Sequence, residues 1–247
     1  MSKWILVTGS AQRIGRAIAL ELAHGGWDIV VHYNKSEAQA EETVAQIKAM
    51  KRKVHLAKCN FTNKRDTQNF ISKLVEEIGW LAGLVNNASL FAPDSLAPGG
   101  TEHKAVNLEA PLMLSDAFKK QLPKGKTGAI VNILDSCMPE SGFSAYAQSK
   151  KSLRVMTIEQ ARRLAPEVRV NGIAAGPVLP SPRQSPEHFK RLIETTLLKT
   201  QTSPEAVAKT VRLMIENPSI TGEILHVDGG IRLQNTPSML HLQAVAG

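Results

Sequence analysis

A tyrosine and a lysine four positions apart, Tyr146 and Lys150, are the residues of this sequence with the clearest chemical meaning. On a helix this spacing puts both side chains on one face, about one turn apart. A free phenol has a pKa of about 10 and therefore exchanges protons poorly at neutral pH. A neighbouring ammonium favours the phenolate and makes that exchange easier. The pair predicts a proton-transfer centre in which Tyr146 is the acid–base group.

A glycine-containing turn near the start of the chain predicts a phosphate-binding loop. The apolar run Ile5-Leu6-Val7 leads into Thr8-Gly9-Ser10-Ala11-Gln12-Arg13-Ile14-Gly15, and a helical pattern follows. Gly9 permits a tight turn, and Gly15 permits close packing of the helix on the strand. The first N–H groups of that helix can bind a pyrophosphate. We therefore expect Gly9, Ile14 and Gly15 to contact a dinucleotide.

The end of the second apolar run indicates which dinucleotide binds. An NAD site needs Asp or Glu about 20 residues after the glycines, to bind the ribose 2′-hydroxyl. The sequence has no acid there before Glu37 and has instead Lys35 and the hydroxyl of Ser36 at a predicted helix start. A cation and a helix N-terminus suit a 2′-phosphate. The segment His32-Tyr33-Asn34-Lys35-Ser36 therefore predicts binding of NADPH rather than NADH.

Short apolar runs alternate with helix-period segments along the whole chain. Strands buried on both faces have such continuous apolar runs, and alternating β and α elements imply a parallel sheet. We predict an α/β fold, a single Rossmann-type domain over 1–247 with a doubly wound parallel sheet of about seven strands and helices on both faces. Strands are predicted at 5–7, 29–31, 54–57, 84–85, 129–134, 168–173 and 224–227, and helices at 13–24, 37–51, 65–78, 102–121 and 145–164.

Helix starts and loops complete this architecture. Ser36-x-x-Gln39 has the pattern of a capping box, and Ser203 before Pro204 predicts an N-cap with a first-turn proline. Proline- and glycine-rich residues 92–100 and 177–186 follow the fourth and sixth strands, at the strand ends where open α/β sheets bind ligands. We expect a substrate-covering loop over about 177–200. The tail 233–247 is apolar for an exposed end, which indicates a contact surface.

Composition and charge exclude several classes of protein. The chain has 30 Lys+Arg against 22 Asp+Glu, but the basic residues are spread along it and only 4% of residues are aromatic. Nucleic-acid binding proteins usually gather their basic residues on one face and add aromatic side chains that stack on bases. No run of about 18 apolar residues predicts a membrane span, and no signal-peptide pattern precedes the first strand. Two cysteines cannot form a disulfide framework or a four-cysteine zinc site. We expect a cytoplasmic protein without a metal.

Landmarks spread over residues 3–232 resemble the short-chain dehydrogenase/reductase family. The first turn resembles its TGxxxGxG motif, and Tyr146 and Lys150 match its YxxxK pair. Asn86-Asn87-Ala88-Ser89 resembles its NNAG motif, and Val227-Asp228-Gly229-Gly230 resembles the exit of its last strand. The resemblance implies that Asn107 joins the tyrosine and lysine through a water relay. It also implies cofactor contacts from Asn60 (in place of an adenine-binding aspartate), Phe61, Asn87, Ala88, Tyr146, Lys150 and the nicotinamide-supporting pair Gly176-Pro177.

Three departures from the general family pattern resemble pteridine reductases, as does the HYxxS segment at 32–36. Arg13 replaces the middle glycine of the first motif, where its charge opposes the helix dipole unless it faces a cofactor phosphate or an anionic substrate edge. Asp135 stands where the family has its catalytic serine. Phe91 completes an NNASxF motif and would stack on a pterin ring. The resemblance implies that Arg13, Ser89, Phe91, Asp135 and Tyr146 bind substrate.

The carboxyl group of Asp135 favours reduction of a C=N bond. A serine hydroxyl donates a hydrogen bond to a carbonyl that becomes an alkoxide, whereas an ionised carboxylate would repel that charge. The nitrogen of a C=N bond must gain a proton as hydride reaches the carbon, and a carboxyl group can supply it. In the alternative, Ser136 does the work of the serine, but a shift of one residue turns the side chain to the other strand face.

These features predict an NADPH-dependent reductase of a pterin-type substrate, dihydropterin or a dihydrofolate-like compound. Asp135, Tyr146 and Lys150 would supply protons, with Asn107 completing the catalytic set. Two alternatives stay open: a short-chain carbonyl reductase acting on a ketone or quinone, and a non-catalytic NADPH-binding sensor. The resemblance further implies a homotetramer.

Overall fold

Seven parallel strands form the centre of the molecule. The computed structural model describes residues 4–96, 98–137, 143–181 and 184–234. The strands are β1 (Trp4–Val7), β2 (Asp28–Tyr33), β3 (Val54–Lys58), β4 (Leu81–Asn86), β5 (Gly128–Asp135), β6 (Val168–Ala175) and β7 (Ile224–Val227). They lie in the order β3-β2-β1-β4-β5-β6-β7, which confirms the predicted doubly wound sheet.

Helices cover both faces of the sheet because successive side chains of a strand point to opposite faces. In β1, Ile5 and Val7 lie in one core layer and Leu6 lies in the other. The first layer is shared with helices α1 (Arg13–His24), α2 (Glu37–Ala49) and α8 (Pro204–Glu216); the second is shared with α3 (Lys64–Ile78), α5 (Ala110–Gln121) and α6 (Ser144–Leu164). Within the described ranges, no helix is long and apolar enough to span a bilayer.

The strand order reverses at β1, and this reversal positions the candidate site. β1 pairs in parallel with both β2 and β4. The helices that follow these strands therefore go to opposite faces of the sheet, and a crevice opens at the carboxyl ends. Thr8 leaves β1 and Asn87 leaves β4 at this crevice, while Asp135 ends β5 on the far side of β4.

One predicted helix and one predicted loop differ in detail from the structure. The predicted helix 102–121 is divided, because α4 (Thr101–Lys104) and α5 flank a π-helical segment, Ala105–Glu109. Such a turn takes up one extra residue inside a longer helix, and sequence reasoning had no signal that distinguishes it from an uninterrupted α-helix. The expected loop 177–200 contains helix α7 (Pro186–Glu194), which Ser185 caps by accepting a hydrogen bond from the His188 N–H at 3.1 Å.

The predicted helix caps had different outcomes. Ser203 caps α8 as predicted, accepting from the Ala206 N–H at 3.0 Å. The capping box at Ser36 was wrong, since its side chain makes no cap hydrogen bond to α2. Its backbone (φ −90°, ψ 63°) departs from the extended conformation that turns an N-cap side chain toward the helix.

We expect Gly176→Ala to lower the free energy of unfolding by about 1–3 kcal/mol, the usual cost of overpacking. A Cβ at Gly176 would lie 2.6 Å from the Asp228 Cα, which is backbone and cannot rotate away. Gly83→Ala is the control, because its methyl would meet only side-chain atoms of Ile5 and Ile215 at 3.0 and 3.4 Å. Urea unfolding of both variants measures the difference. Equal losses would contradict the close approach of the two strand exits.

Candidate active site

The turn after β1 has two positions that only glycine can occupy. Gly9 has φ +63°, and a Cβ there would lie 2.9 Å from the Ala88 Cα. A Cβ at Gly15 would lie 2.2 Å from the Gly9 carbonyl oxygen. The first turn of α1 therefore packs directly on the strand exit, and its N–H groups face the crevice where an anion can approach. Ile14 is half-buried beside them.

His32 lies beneath this turn and orients it. The Gly9 N–H donates to His32 Nδ1 at 2.8 Å, so Nε2 carries the proton and donates to the Cys59 carbonyl at 3.1 Å. The ring also stacks on Phe61 with 4.3 Å between centroids. Burial lowers the pKa of His32 to about 4, so it stays neutral. The sequence predicts cofactor contacts for both residues, but both side chains lie in the core, where the His32 ring supports the turn through the Gly9 N–H.

Asn87 and Thr8 lock the exits of β4 and β1 together. Asn87 Nδ2 donates to the carbonyls of Thr8 and Gly9 at 2.8 and 3.1 Å. In return, Thr8 Oγ1 accepts from the backbone N–H groups of Asn87 and Ala88, each at 2.9 Å. The structure thus brings the predicted residues Gly9, Asn87 and Ala88 together. Sequence reasoning missed Thr8, whose place directly before the first glycine was the available signal.

Arg13 contacts the segment after β6. Its guanidinium donates to the carbonyls of Leu179 and Pro180 at 3.2 and 2.9 Å. Its backbone keeps φ +57°, in the left-handed region that favours glycine, which the general family motif has at this position. With Phe189 and Lys190, Arg13 lines a surface pocket of about 370 Å³. The sequence predicts an anionic ligand for Arg13, and the structure joins its side chain to loop carbonyls beside a cavity.

The end of β2 presents two polar side chains toward solvent. In the described part of the chain, neither the Lys35 ammonium nor the Ser36 hydroxyl has a hydrogen-bond partner. Asn34 is exposed and donates weakly to Asn60 Oδ1 at 3.4 Å, an oxygen that also accepts from Thr62. The neighbouring Tyr33 differs from these, since its ring is buried and its hydroxyl donates to Glu37 at 2.6 Å. Lys35 and Ser36 are therefore available to an anionic group.

The predicted acid–base residues meet where β5 ends and α6 begins. The Tyr146 hydroxyl donates to Asp135 Oδ2 at 2.6 Å. The Lys150 ammonium donates to the Ile133 carbonyl at 3.0 Å and lies 6.0 Å from the centre of the Tyr146 ring. Tyr146 and Lys150 are buried, whereas Asp135 is half-buried at the open end of the strand. The structure brings all three together.

Burial decides the proton affinities of this cluster. It raises the pKa of Asp135 above its ordinary range and lowers the pKa of Lys150 to about 8. Burial and the neighbouring Asp135 carboxyl raise the pKa of Tyr146. In this state desolvation and the carboxyl outweigh the ammonium of Lys150, so the pKa of Tyr146 is raised and not lowered as the sequence argument predicts. Tyr146 is a protonated hydrogen-bond donor, and Asp135 takes up protons more readily than a free aspartate.

The structure disfavours Ser136 as a substitute for the family's serine. Its hydroxyl donates to the Ala174 carbonyl at 3.2 Å and its N–H to the Ala175 carbonyl, so both are engaged with β6. The next residue, Cys137, donates its backbone N–H to Asp135 Oδ1 at 2.7 Å. Burial raises the pKa of the Cys137 thiol to about 12, which leaves it unreactive as a nucleophile.

Four hydrogen bonds engage the side chain of Asn107. It lies in the π-helical segment, where its side chain accepts from the Leu90 N–H at 2.7 Å and donates to the Leu90 carbonyl at 2.9 Å. It also accepts from the Ser89 hydroxyl at 3.2 Å and donates to Ser149 Oγ at 3.1 Å. Asn107 therefore ties the segment after β4 to helix α6. The water relay to Lys150 that the resemblance implies stays a prediction, and sequence reasoning missed the partner Ser149.

An aromatic cluster stands beside the Tyr146 hydroxyl. Phe91 is 40% exposed, stacks on Phe143 with 4.6 Å between centroids and makes a T-shaped contact with the Tyr146 ring, with 4.8 Å between centroids. Phe143 was missed in the sequence, where it directly precedes the helix. On the other side of the crevice, Gly176 donates its N–H to the Val227 carbonyl at 2.9 Å and Pro177 accepts from Thr202 at 3.2 Å. These contacts fix the start of the loop that follows β6.

Comparison with known proteins agrees with this arrangement of strand exits. The family model described as short chain dehydrogenase matches residues 3–190. The chain belongs to the short-chain dehydrogenase family. A family member of Armillaria gallica, a short-chain dehydrogenase/reductase, is 33% identical over 92% of this chain and 94% of its own length.

Two further short-chain dehydrogenase relatives differ in their described activity. A 3-oxoacyl-(acyl-carrier-protein) reductase of Staphylococcus epidermidis is 29% identical over 94% of this chain and 99% of its own length. A crystal structure of an alternative dihydrofolate reductase of Brucella canis, complexed with NADP, is 35% identical, covers 96% of both chains and has a TM-score of 0.87. Both relatives are oxidoreductases, as the family implies.

The buried His32 predicts a loss of stability in acid. Its pKa is lowered to about 4 in the folded protein, against 6.5 in the unfolded chain, so between those values only the unfolded chain binds the proton. The free energy of unfolding should fall by about 3 kcal/mol from pH 7 to pH 4 through this group. His32→Asn should reduce that fall, and His188→Gln, at an exposed histidine, should not. Denaturant unfolding across this pH range measures both; the same profile in His32→Asn and wild type would contradict the assignment.

Proposed function

We propose that this member of the short-chain dehydrogenase family is an NADPH-dependent reductase of a pterin-type substrate, a dihydropterin or a dihydrofolate-like compound. The observation that carries the proposal is the Tyr146–Asp135 hydrogen bond of 2.6 Å, which puts a carboxyl group where the family has a serine. The likeness to the NADP-bound alternative dihydrofolate reductase of Brucella canis over 96% of the chain supports it.

The residues at the first two strand exits fit an NADPH molecule. The space at Gly9 and Gly15 lets a pyrophosphate approach the N-terminus of α1. The unpartnered Lys35 ammonium and Ser36 hydroxyl offer a cation and a donor to a 2′-phosphate, with no acid at the position that an NAD site needs. Asn34 and Asn60, both exposed, border the place expected for adenine.

The acid–base residues have distinct tasks in this proposal. Bound NADPH would supply hydride to the carbon of a ring C=N bond. Asp135, whose pKa is raised by burial, gives one proton to the nitrogen of that bond. Tyr146 returns a proton to Asp135 along the 2.6 Å hydrogen bond and regains one from solvent. Lys150, with a pKa of about 8, is mostly charged at pH 7 and stabilises the phenolate between these steps.

The aromatic cluster provides a surface for a flat substrate. The Phe91 ring is 40% exposed and its centroid lies 4.8 Å from that of the Tyr146 ring, so a flat substrate bound against the exposed part of Phe91 would lie near the acid–base pair. Offset stacking of aromatic rings is favourable. Ser89, held by Asn107, and Arg13, at the opposite side of the crevice, are the polar residues we assign to substrate contacts.

A short-chain carbonyl reductase is the second candidate. The 29% identity to a 3-oxoacyl-(acyl-carrier-protein) reductase supports this reading. In that case Tyr146 would donate its proton to a carbonyl oxygen, and Asp135 would only accept the hydrogen bond from Tyr146. A half-buried carboxylate close to a developing alkoxide is unfavourable electrostatically, and for this reason we prefer the C=N substrate.

Cytoplasmic location, which composition predicts, and a homotetramer, which the family resemblance implies, both stay predictions. The apolar tail that indicated a contact surface lies mostly outside the described residues, which end at 234.

Asp135→Ser should separate the two candidates. If the carboxyl protonates a ring nitrogen, kcat for dihydropterin should fall by about 10²-fold or more, the usual scale of a general acid. The NADPH Kd should stay unchanged, while turnover of a ketone panel should rise relative to dihydropterin. Because an acid must be protonated to donate, wild-type kcat should fall as pH rises through the raised pKa of Asp135, and the variant should lack this limb.

Two controls accompany Asp135→Ser. Asp66→Ser changes an exposed aspartate in α3 and should leave every constant unchanged. Tyr146→Phe should lower kcat by about 10²–10⁴-fold with either substrate class, since both candidates use the phenol. Wild-type dihydropterin turnover in Asp135→Ser would favour the carbonyl reductase.

Cofactor preference tests Lys35 and Ser36. Removing charge-assisted phosphate contacts costs on the order of 1.5–3 kcal/mol. The double variant Lys35→Ala, Ser36→Ala should therefore raise the NADPH KM by at least about tenfold and change the NADH KM little. Lys126→Ala, at an exposed turn remote from the crevice, controls for the loss of one positive charge. Equal effects on NADPH and NADH would contradict the 2′-phosphate assignment.

A further inference from the structure

Helix α6, which carries Tyr146 and Lys150, is capped by a residue fifty positions earlier in the chain. The residue at its own N-cap position is Phe143, whose side chain has no oxygen to accept from the first N–H groups. Asp94 accepts instead: Oδ2 from the Ser144 N–H at 2.9 Å and its hydroxyl at 2.6 Å, and Oδ1 from the Ala145 N–H at 3.2 Å. One carboxylate thus satisfies the first turn of the catalytic helix.

The segment that carries Asp94 also carries the aromatic surface of the site. Phe91, three residues earlier, packs on both Phe143 and Tyr146. Between them, the Ala92 carbonyl lies 3.1 Å from Nε2 of the buried His103 in α4. The segment after β4 therefore contacts the start of α6 twice, through the stacked rings of Phe91 and Phe143 and through the Asp94 cap. The contact between Ala92 and His103 holds the segment itself in place.

Tyr146 is the third residue of α6 and lies within the capped turn. The position of its hydroxyl therefore depends on how firmly this turn is formed. A misplacement of about 1 Å at a reacting group can cost about 10²-fold in rate. Helix ends fray unless their free N–H groups are satisfied, and an anion is the favoured partner at an N-terminus.

We propose that Asp94 is a positioning residue that fixes the place of the Tyr146 hydroxyl relative to the Phe91 ring, against which a flat substrate would bind. This rests on the proposed reductase function, because the relative placement of Phe91 and Tyr146 has a catalytic meaning only if a flat ring is reduced beside them. Hydrogen bonds from Ser144 lower the pKa of Asp94, so the cap stays ionised throughout the neutral range.

The kinetic experiment compares Asp94→Ala and Asp94→Asn with wild type in steady-state dihydropterin reduction. Asp94→Ala should lower kcat/KM by about tenfold or more, through both kcat and KM, while the NADPH Kd changes by less than about twofold. Asp94→Asn keeps one acceptor oxygen and should recover most of the activity. Ser203→Ala, which removes the single side-chain cap of α8, is the matched control and should keep wild-type kinetics.

Hydrogen exchange gives a readout that does not depend on the substrate. Amides of 144–149 should exchange about three- to thirtyfold faster in Asp94→Ala, the range expected for a lost cap, and unchanged in Ser203→Ala. If Asp94→Ala does not fold, Ser144→Ala, which loses only the 2.6 Å bond, takes its place with a smaller effect in the same direction.

The outcomes separate this proposal from the proposed function. If the wild-type protein reduces no dihydropterin, the proposed function is wrong, and the kinetic comparison is made with the ketone that is reduced fastest. The hydrogen-exchange result still tests whether Asp94 caps α6. Unchanged exchange, or kinetics in Asp94→Ala equal to those of Ser203→Ala, overturns the positioning role. A parallel loss of NADPH affinity also overturns it, because that would indicate a general loss of structure.

Discussion

The hydrogen bond from the Tyr146 phenol to the Asp135 carboxyl is the interaction on which the rest of the candidate site depends. It joins the end of β5 to the first turn of α6 over 2.6 Å. Burying two acids and an ammonium is costly unless each is hydrogen-bonded. The surrounding backbone meets this need, since the Ile133 carbonyl accepts from Lys150 and the Cys137 N–H donates to Asp135. The cluster is thus held as one unit with perturbed proton affinities.

Side chains that bind backbone groups of distant segments hold the rest of the site. Asn87 ties β4 to β1, His32 orients the Gly9 amide, Asn107 ties the Leu90 segment to α6 and Asp94 caps α6. The strand ends are rigid because the sheet fixes them, whereas the loops that leave them have few backbone partners of their own. Polar side chains reaching across between loops supply the missing hydrogen bonds.

Membership of the short-chain dehydrogenase family fixes the class of chemistry but not the substrate. One fold hosts reductases of many compounds, so substrate choice must be argued from the side chains at the site. Relatives of this chain include a 3-oxoacyl-(acyl-carrier-protein) reductase and an alternative dihydrofolate reductase. The half-buried carboxyl of Asp135 bears most directly on this choice, because carbonyl and imine reduction place opposite demands on charge at that position.

The sequence by itself determined the sheet, its parallel order and the residues at its strand exits. Apolar runs and glycine positions are local properties, and the structure has strands and a tight turn where they predict them, including Gly9 and helix α1. Only the tertiary structure decided the partners: Asn107 with Leu90 and Ser149, Arg13 with loop carbonyls, His32 beneath the loop, and Asp94 on a helix fifty residues away. The tertiary structure also decided that the pKa of Tyr146 is raised. Hydrogen-bond partners and desolvation depend on which distant segments pack together, and the spacing of residues along a chain does not specify that.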